Sequence, residues 1–272
     1  MSLKNVAQET LLLLENGGFR TEDGRRIELA AEQKAAVEGS FTLTPESGAA
    51  LLSVRGAGGA APSIFVTTER TQEAVRRLVG EGHVDPVVLN FASARNPGGG
   101  FIRGAKAQEE DLARCSGLYP CLLTQPRYFE INRAQSSLLY TDHLIYSPKV
   151  PWFRTRSRNA PDRLCLASVI TAPAPNAGEV LRRDPTAGAA IEAALRHRAG
   201  LVLALAREQG HRSLLLGGWG CGVFRNDPEM VADAFGQWLE SETFGGAFDH
   251  VTFAVFDRTK LVHDAFARRF PA

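Results

Sequence analysis

Leucines recur at helical spacing between Val6 and Glu15 and stop at Asn16-Gly17-Gly18, so the chain should open with an amphipathic helix closed by a glycine C-cap. A second helix is expected over Ala30 to Glu38. From Ser63 onward the periodicity alternates: Ile64 to Thr67 reads as strand, Glu69 to Val79 as helix, Val87 to Phe91 as strand and Ala105 to Gly117 as helix. Further strands are expected at Leu144 to Ser147, Leu164 to Thr171, Ser213 to Leu216 and Val251 to Phe256. Helices are expected from about Ala189 to Gln209 and from Pro228 to about Glu242, the latter announced by Asp227 as N-cap with Pro228 in the first turn. Short unbroken runs of Val, Ile and Leu fit strands covered on both faces. The alternation predicts an α/β protein, a three-layer α/β/α sandwich around a mixed sheet. Residues 1–62, with two helices and the Gly/Pro-rich passage Thr44 to Pro62, read as an N-terminal helical extension packed on a core at 63–272, the whole forming one structural unit. No internal repeat is visible.

Composition narrows the function classes. With 44% hydrophobic and 22% charged residues in 272, the chain has the balance of an ordinary folded enzyme rather than of a disordered segment. A net charge of +1 supplies no global field for a nucleic-acid backbone, so an anionic ligand must be gripped by local donors. Direct sequence-specific nucleic-acid binding is therefore not expected. Cys115, Cys121, Cys165 and Cys221 form no C-x-x-C pair and have no histidine at metal-ligand spacing, which argues against zinc and against a disulfide framework. The four-leucine run near the N-terminus is flanked by glutamates and is too short for a signal h-region or a membrane span. A cytoplasmic location and no membrane association follow as expectations.

Two glycine-rich segments carry the candidate chemistry. The strand holding Asn90 runs into Ala92-Ser93-Ala94-Arg95-Asn96-Pro97-Gly98-Gly99-Gly100, and Gln108-Glu109-Glu110 follows after a short spacer. Consecutive glycines let the backbone come within hydrogen-bonding distance of a sugar or phosphate. Ligands of open α/β sheets bind beyond the carboxyl ends of strands, which is where this loop falls. Glu109 and Glu110 should diverge by roughly 100° around a helix, so they are expected to serve different atoms, one in proton chemistry and the other holding a hydroxyl. The plain alternative is a simple loop followed by a solvated acidic face.

The second segment is Gly217-Gly218-Trp219-Gly220-Cys221-Gly222-Val223-Phe224, between the strand Ser213 to Leu216 and the helix starting at Pro228. A glycine-rich turn from strand to helix gathers backbone N–H groups and a positive dipole end around one point, a cradle for a diphosphate. There is no Gly-Lys-Ser/Thr as a Walker loop requires, and Arg225 stands where a dinucleotide fingerprint needs its third glycine.

Together, a glycine triplet, a short spacer and Gln-Glu-Glu resemble the signature of poly(ADP-ribose) glycohydrolases, and the stretch Gly217 to Pro228 resembles the diphosphate loop of their bacterial branch. Similarity extends to Asn5 to Leu14, Tyr146 to Arg154, Ile170 to Asn176 and Phe253 to Asp257. The resemblance implies a macrodomain-like fold and cleavage of ribose-ribose O-glycosidic bonds of poly(ADP-ribose) to release ADP-ribose. It implies Glu110 as general acid/base and Glu109 as a partner for ribose hydroxyls, with Gln108 beside them. Asn96 and Gly98 to Gly100 would line the distal ribose pocket, while Asn90, at the strand end, is a substrate-binding candidate through its amide donors and acceptors. Gly217, Gly218, Trp219, Gly220, Cys221, Gly222 and Val223 would hold the diphosphate, and Phe224 would pack on the terminal ribose. Ser93 departs from the pattern, standing where larger relatives tend to carry a second asparagine. Glycosidic cleavage needs a proton for the departing oxygen, expected from Glu110, and support for an oxocarbenium-like centre, toward which the substrate's own diphosphate contributes, so no metal or cofactor is expected.

Phe256 and Asp257, after the last strand, are candidates to stack on adenine and to accept from its amino group, or else a core aromatic and a turn residue. Trp152, Trp219 and Trp238 read primarily as packing residues, the six histidines show no triad or metal spacing, and Arg196, His197, Arg198 and Arg207 read as a solvated helix face. Two rivals stay open: a non-catalytic ADP-ribose-binding macrodomain, and a mono-ADP-ribosyl or O-acyl-ADP-ribose hydrolase. Expected partners are poly(ADP-ribose), ADP-ribose and ADP-ribosylated proteins, with the chain acting as a monomer.

Overall fold

The computed structural model describes residues 2–56 and 58–271, so Ala57 of the Thr44 to Pro62 passage lies outside the described residues. In chain order the elements are α1 (Leu3–Glu15), β1 (Gly18–Arg20), β2 (Arg26–Glu28), α2 (Ala30–Glu38), β3 (Phe41–Leu43), α3 (Pro45–Ser53), β4 (Ser63–Thr67), α4 (Thr71–Gly80) and β5 (Val87–Phe91). A 3₁₀ turn at Phe101–Arg103 leads to α5 (Gln108–Cys115), α6 (Leu118–Leu123), α7 (Pro126–Ala134), β6 (Leu144–Trp152) and β7 (Cys165–Ala172). The chain ends with α8 (Ala177–Arg183), α9 (Gly188–Glu208), β8 (Ser213–Leu216), α10 (Pro228–Leu239), β9 (His250–Ala254) and α11 (Leu261–Arg269).

Seven strands form one mixed sheet in the order β3-β6-β7-β5-β8-β9-β4. The run from β7 to β4 is parallel, while β6 and β3 add antiparallel at one edge. The period of two along each strand splits the core into two layers. Val87 and Leu89 of β5, with Leu214 and Leu216 of β8, pack into a cluster with α9, α10 and α11, whereas Val88 and Leu215 point into the opposite cluster with α2, α4, α5, α6 and α7. Three layers result, as the alternating pattern implied. Among the described residues no helix is long and apolar enough to cross a membrane.

Several features differ from the sequence expectation. The passage after Thr44 contains α3, capped by Thr44, whose Oγ1 accepts from the Ser47 N–H at 3.3 Å, with Pro45 in the first turn. That N-cap and Pro signal is legible, but the many later glycines outweigh it. Phe41–Leu43 also belongs to the main sheet, so the N-terminal stretch contributes an edge strand and is not only helical. A further difference is on α9. Arg198 is buried rather than solvated: its Nε donates to Asp142 Oδ1 at 3.0 Å and its Nη1 to the Pro173 carbonyl at 2.6 Å. An arginine enters a core when its donors are met in this way.

Helix α1 packs against α5 and the turn before it. Ala7 and Leu11 pack against Phe101 and Ile102 of the 3₁₀ turn and Ala113 of α5. Thr10 Oγ1 donates to the Arg114 carbonyl at 3.1 Å, and Arg154 Nη1 donates to the same carbonyl at 2.9 Å. The N-terminal helix thus braces the outer side of the helix that carries Glu109 and Glu110.

Candidate active site

The carboxyl ends of β5, β8 and β9 open into a cavity of about 820 Å³. That lies within the range of small-molecule and cofactor sites. Three loops wall it: the glycine segment after β5 with the start of α5, the glycine segment after β8, and the turn after β9 with the start of α4.

Gln108 fastens α5 to the sheet. Its Oε1 accepts from the Phe91 N–H at 2.9 Å and its Nε2 donates to the Leu89 carbonyl at 3.0 Å and to Thr71 Oγ1 at 3.3 Å. The amide therefore bridges the end of β5, where the strand ladder stops, and sets where the next two side chains begin. Although Gln108 lines the cavity, these bonds make it a support for the carboxyls first.

Glu109 is buried, at 2% exposure, with both oxygens engaged: Oε2 accepts from the Ser93 N–H at 2.7 Å and Oε1 from Asn90 Nδ2 at 3.2 Å. Burial pushes its carboxyl up to about 8, against the pull of those two hydrogen bonds, and the Glu110 carboxylate beside it adds to the rise. Glu109 therefore holds a proton at neutral pH. Glu110 is turned toward the glycines. Its Oε1 accepts from the Gly100 N–H at 2.8 Å, while Oε2 is buried and has no protein partner among the described residues.

The helical divergence expected for Glu109 and Glu110 does not survive the tertiary contacts. A Cβ on Gly99 would lie 2.5 Å from Glu110 Oε1 and 3.1 Å from Glu109 Oε2, so both carboxyls converge on one point of the glycine loop. The angle of about 100° describes where the side chains leave the helix axis. First-turn side chains are long enough to bend round toward N–H donors in the preceding loop. Gly99 has φ +58°, which an L side chain adopts only with strain. Gly99→Ala is expected to lower kcat on a scissile substrate about 100-fold with the fold retained, because an added methyl must displace Glu110 by a fraction of an ångström or more. Turnover and circular dichroism of the purified variant check this, and unchanged turnover would mean that Glu110 need not sit where it does.

The second glycine loop is held open from beneath. Buried Asn226 donates from Nδ2 to the Pro175 carbonyl at 2.8 Å and to the Gly220 carbonyl at 3.2 Å, and Gly220 has φ +73°. A Cβ on Gly220 would meet Asn226 Nδ2 at 2.4 Å, whereas one on Gly222 would meet nothing within 4 Å. Gly218, Gly220, Cys221, Gly222, Val223 and Phe224 line the cavity. Asp227 caps α10, accepting from the Glu229 N–H at 2.9 Å, so the dipole of a twelve-residue helix is anchored just behind the loop. Burial pushes the Cys221 thiol up to about 12, so it stays protonated.

Several residues expected at the ligand stand behind the wall instead. Asn90 is fully buried and serves Glu109 and Thr171. Trp219 is fully buried, donating from Nε1 to the Ala172 carbonyl at 3.1 Å and packing on Phe235. Gly217 is wedged between strands, with the Ala254 carbonyl 2.6 Å from where its Cβ would be, and Gly98 is packed under Tyr119. Asn96, Gly99, Gly100 and Phe256 do line the cavity. Asp257 accepts from the Val262 N–H at 2.8 Å and the Thr259 N–H at 2.9 Å, which makes it a turn residue.

Sequence reasoning missed Arg70. Its guanidinium carbon stands 3.8 Å from the centroid of the Phe256 ring, and its Nη1 lies 3.5 Å from Asp111 Oδ2, one residue beyond Glu110. Asp111 is further held by Gln72 at 3.3 Å and by Arg114 at 3.3 Å, so α4 and α5 share one polar network along the cavity. Arg70 precedes a helix by a single residue, and nothing in its local pattern marks it.

The model of the microbial-type PARG catalytic domain matches residues 7–155, more than half of the chain, including both glutamates and the glycine triplet. The chain belongs to the microbial-type PARG family. Among solved structures, it is similar to the poly(ADP-ribose) glycohydrolase of Thermomonospora curvata, at 45% identity and a TM-score of 0.94 over 98% of this chain and 99% of that one. The same enzyme bound to the inhibitor ADP-HPD matches at 44% identity and a TM-score of 0.90. The poly(ADP-ribose) glycohydrolase of Deinococcus radiodurans in complex with ADP-ribose matches at 45% identity and a TM-score of 0.81, over 89% of this chain and 98% of that one. No curated protein sequence matches the chain. Membership of the PARG family agrees with the α/β/α sandwich and mixed sheet described above.

Proposed function

We propose that this chain hydrolyses the ribose-ribose O-glycosidic bonds of poly(ADP-ribose), releasing ADP-ribose, with Glu110 as the acid/base. The observation that carries the reading is the Oε2 of Glu110: a buried carboxyl oxygen with no partner among the described residues, held at the wall of a ligand-sized cavity by a backbone N–H on its other oxygen. A buried polar atom left open in this way is matched when a ligand supplies the partner. Kinship with the glycohydrolases of Thermomonospora curvata and Deinococcus radiodurans supports the same substrate class.

In this reading Glu110 delivers a proton to the departing oxygen and, once ionised, takes one from the attacking water. Glu109, neutral at pH 7, presents an O–H to a ribose hydroxyl without adding a negative charge of its own at the reacting centre. The loop from Gly218 to Val223 receives the diphosphate through its N–H groups, Phe224 packs on the terminal ribose, and Phe256 with Arg70 above it offers a face for the base. Asn96 completes the distal ribose pocket. The N-terminal stretch 1–62 works with the core 63–272 as one unit, since α1 backs the catalytic helix. The substrate in the cell is poly(ADP-ribose) on ADP-ribosylated proteins, met in the cytoplasm by a monomer.

Incubation of the purified chain with labelled poly(ADP-ribose) in EDTA is expected to give free ADP-ribose. Calorimetric binding of ADP-ribose without any turnover of polymer would instead make the chain a reader module, and loss of turnover on chelation would assign the chemistry to a metal.

A further inference from the structure

The charged side chains on the cavity wall are almost all spoken for. Glu69 is paired with Arg77 at 3.0 Å and Arg70 with Asp111 at 3.5 Å. Glu109 and Glu110 accept from Asn90, Ser93 and Gly100, and Asp257 caps its own turn. Two cations are left over. Arg103 and Lys106 line the same cavity, are exposed, and make no ion pair or side-chain hydrogen bond among the described residues. Both lie in the short spacer between Gly100, which holds Glu110 by its N–H, and Gln108, which starts the catalytic helix.

The spacer is also a fixed platform. Phe101 and Ile102 are packed on Ala7 and Leu11 of α1, and Gly104, at φ +82°, sits so close to α1 that an added Cβ would be 3.0 Å from the Lys4 backbone nitrogen. Arg103 and Lys106 therefore project from a braced turn on the α1 side of Glu110. The glycine loop after β8 approaches the cavity from a different strand end.

We infer that Arg103 and Lys106 form a subsite for the leaving portion of the polymer, binding the diphosphate of the unit on the far side of the scissile bond. The inference rests on the function proposed above. Each unit of poly(ADP-ribose) carries a diphosphate, so a chain with one unit's diphosphate on the loop after β8 has its next diphosphate beyond the bond at Glu110. Cations without protein partners bind such a group with no internal pair to break, and they release counterions from it in doing so. With a net charge of only +1, the protein attracts a polyanion through a local pair of this kind rather than through its overall field.

The test compares Arg103→Gln/Lys106→Gln with the unsubstituted chain, using short chains of poly(ADP-ribose) and ADP-ribose alone as probes, by calorimetry across a salt series. To block turnover the same pair of proteins is also prepared with Glu110→Gln. Expected is an approximately tenfold or larger weakening for the polymer, a salt dependence flattened by about one to two counterions, and ADP-ribose affinity unchanged within about twofold. Arg103→Lys/Lys106→Arg should restore polymer binding. Equal weakening for ADP-ribose and polymer would place the cations on the first unit and overturn the subsite, as would no change for either. Failure of the unsubstituted chain to cleave polymer sinks the proposed function and leaves this binding comparison readable.

Discussion

Glu110→Gln is expected to lower kcat on poly(ADP-ribose) by at least about 10³-fold while ADP-ribose binding stays within about threefold of the unsubstituted chain. Glutamine keeps an oxygen to accept from the Gly100 N–H, so the loop geometry at 2.8 Å can persist. What it removes is the proton at the second position, where Oε2 has no other partner. General acid–base catalysis is worth roughly 10² to 10⁴-fold, and in the proposed reaction the same group acts in both half-reactions. Product release measured chromatographically, with calorimetry on the same preparation, checks both halves. Residual turnover within tenfold of the parent would move the acid/base role to Glu109, the one other carboxyl that converges on Gly99.

Glu109→Gln should act mainly on stability, with a sign that depends on pH. The folded carboxyl titrates near 8, whereas its ordinary value is 4.5. Between those values the folded chain keeps a proton that the unfolded chain has released, so its contribution is full below about pH 4.5 and is lost as pH rises through about 8. The variant has no such loss. Its neutral amide also fits the site: the Asn90 amide can turn so that its presently unpartnered Oδ1 accepts from the new NH₂. Relative to the parent, the melting temperature of Glu109→Gln is expected to gain roughly 5 °C or more between pH 5 and pH 8, as several kcal/mol of linkage would give for a chain of this size. Parallel melting curves across that range would mean that Glu109 is ionised in the folded protein.

Local signals were enough for most of the scaffold. Val87–Phe91, Ser213–Leu216 and Ala30–Glu38 appear at the expected boundaries, because buried apolar runs and stretches of strong helix formers are read over a few neighbouring residues. Short pieces escaped: β3 is a three-residue edge strand whose partner, β6, lies about 100 residues onward, and a segment of that length has no periodicity of its own. At the site, the residue types that bear the chemistry were legible. Which of them touch the cavity was not. Asn90 and Trp219 sit in ligand-like motifs yet face inward, because a strand end and a tight turn alternate the two sides of the wall within one or two residues.

By itself the sequence determined the layered α/β/α architecture, the two glycine loops at strand ends, and the Gln108-Glu109-Glu110 trio at a helix start. Each depends on composition and spacing along the chain, where steric and apolar preferences act between near neighbours. Only the tertiary structure decided that the two glutamates converge on Gly99, that burial pushes Glu109 toward its protonated form, that Arg70 covers Phe256, and that Arg103 and Lys106 make no ion pair or side-chain hydrogen bond among the described residues. Proton affinity and ion pairing depend on what surrounds a group in three dimensions, and those surroundings come from strands, loops and a terminal helix far apart in the chain.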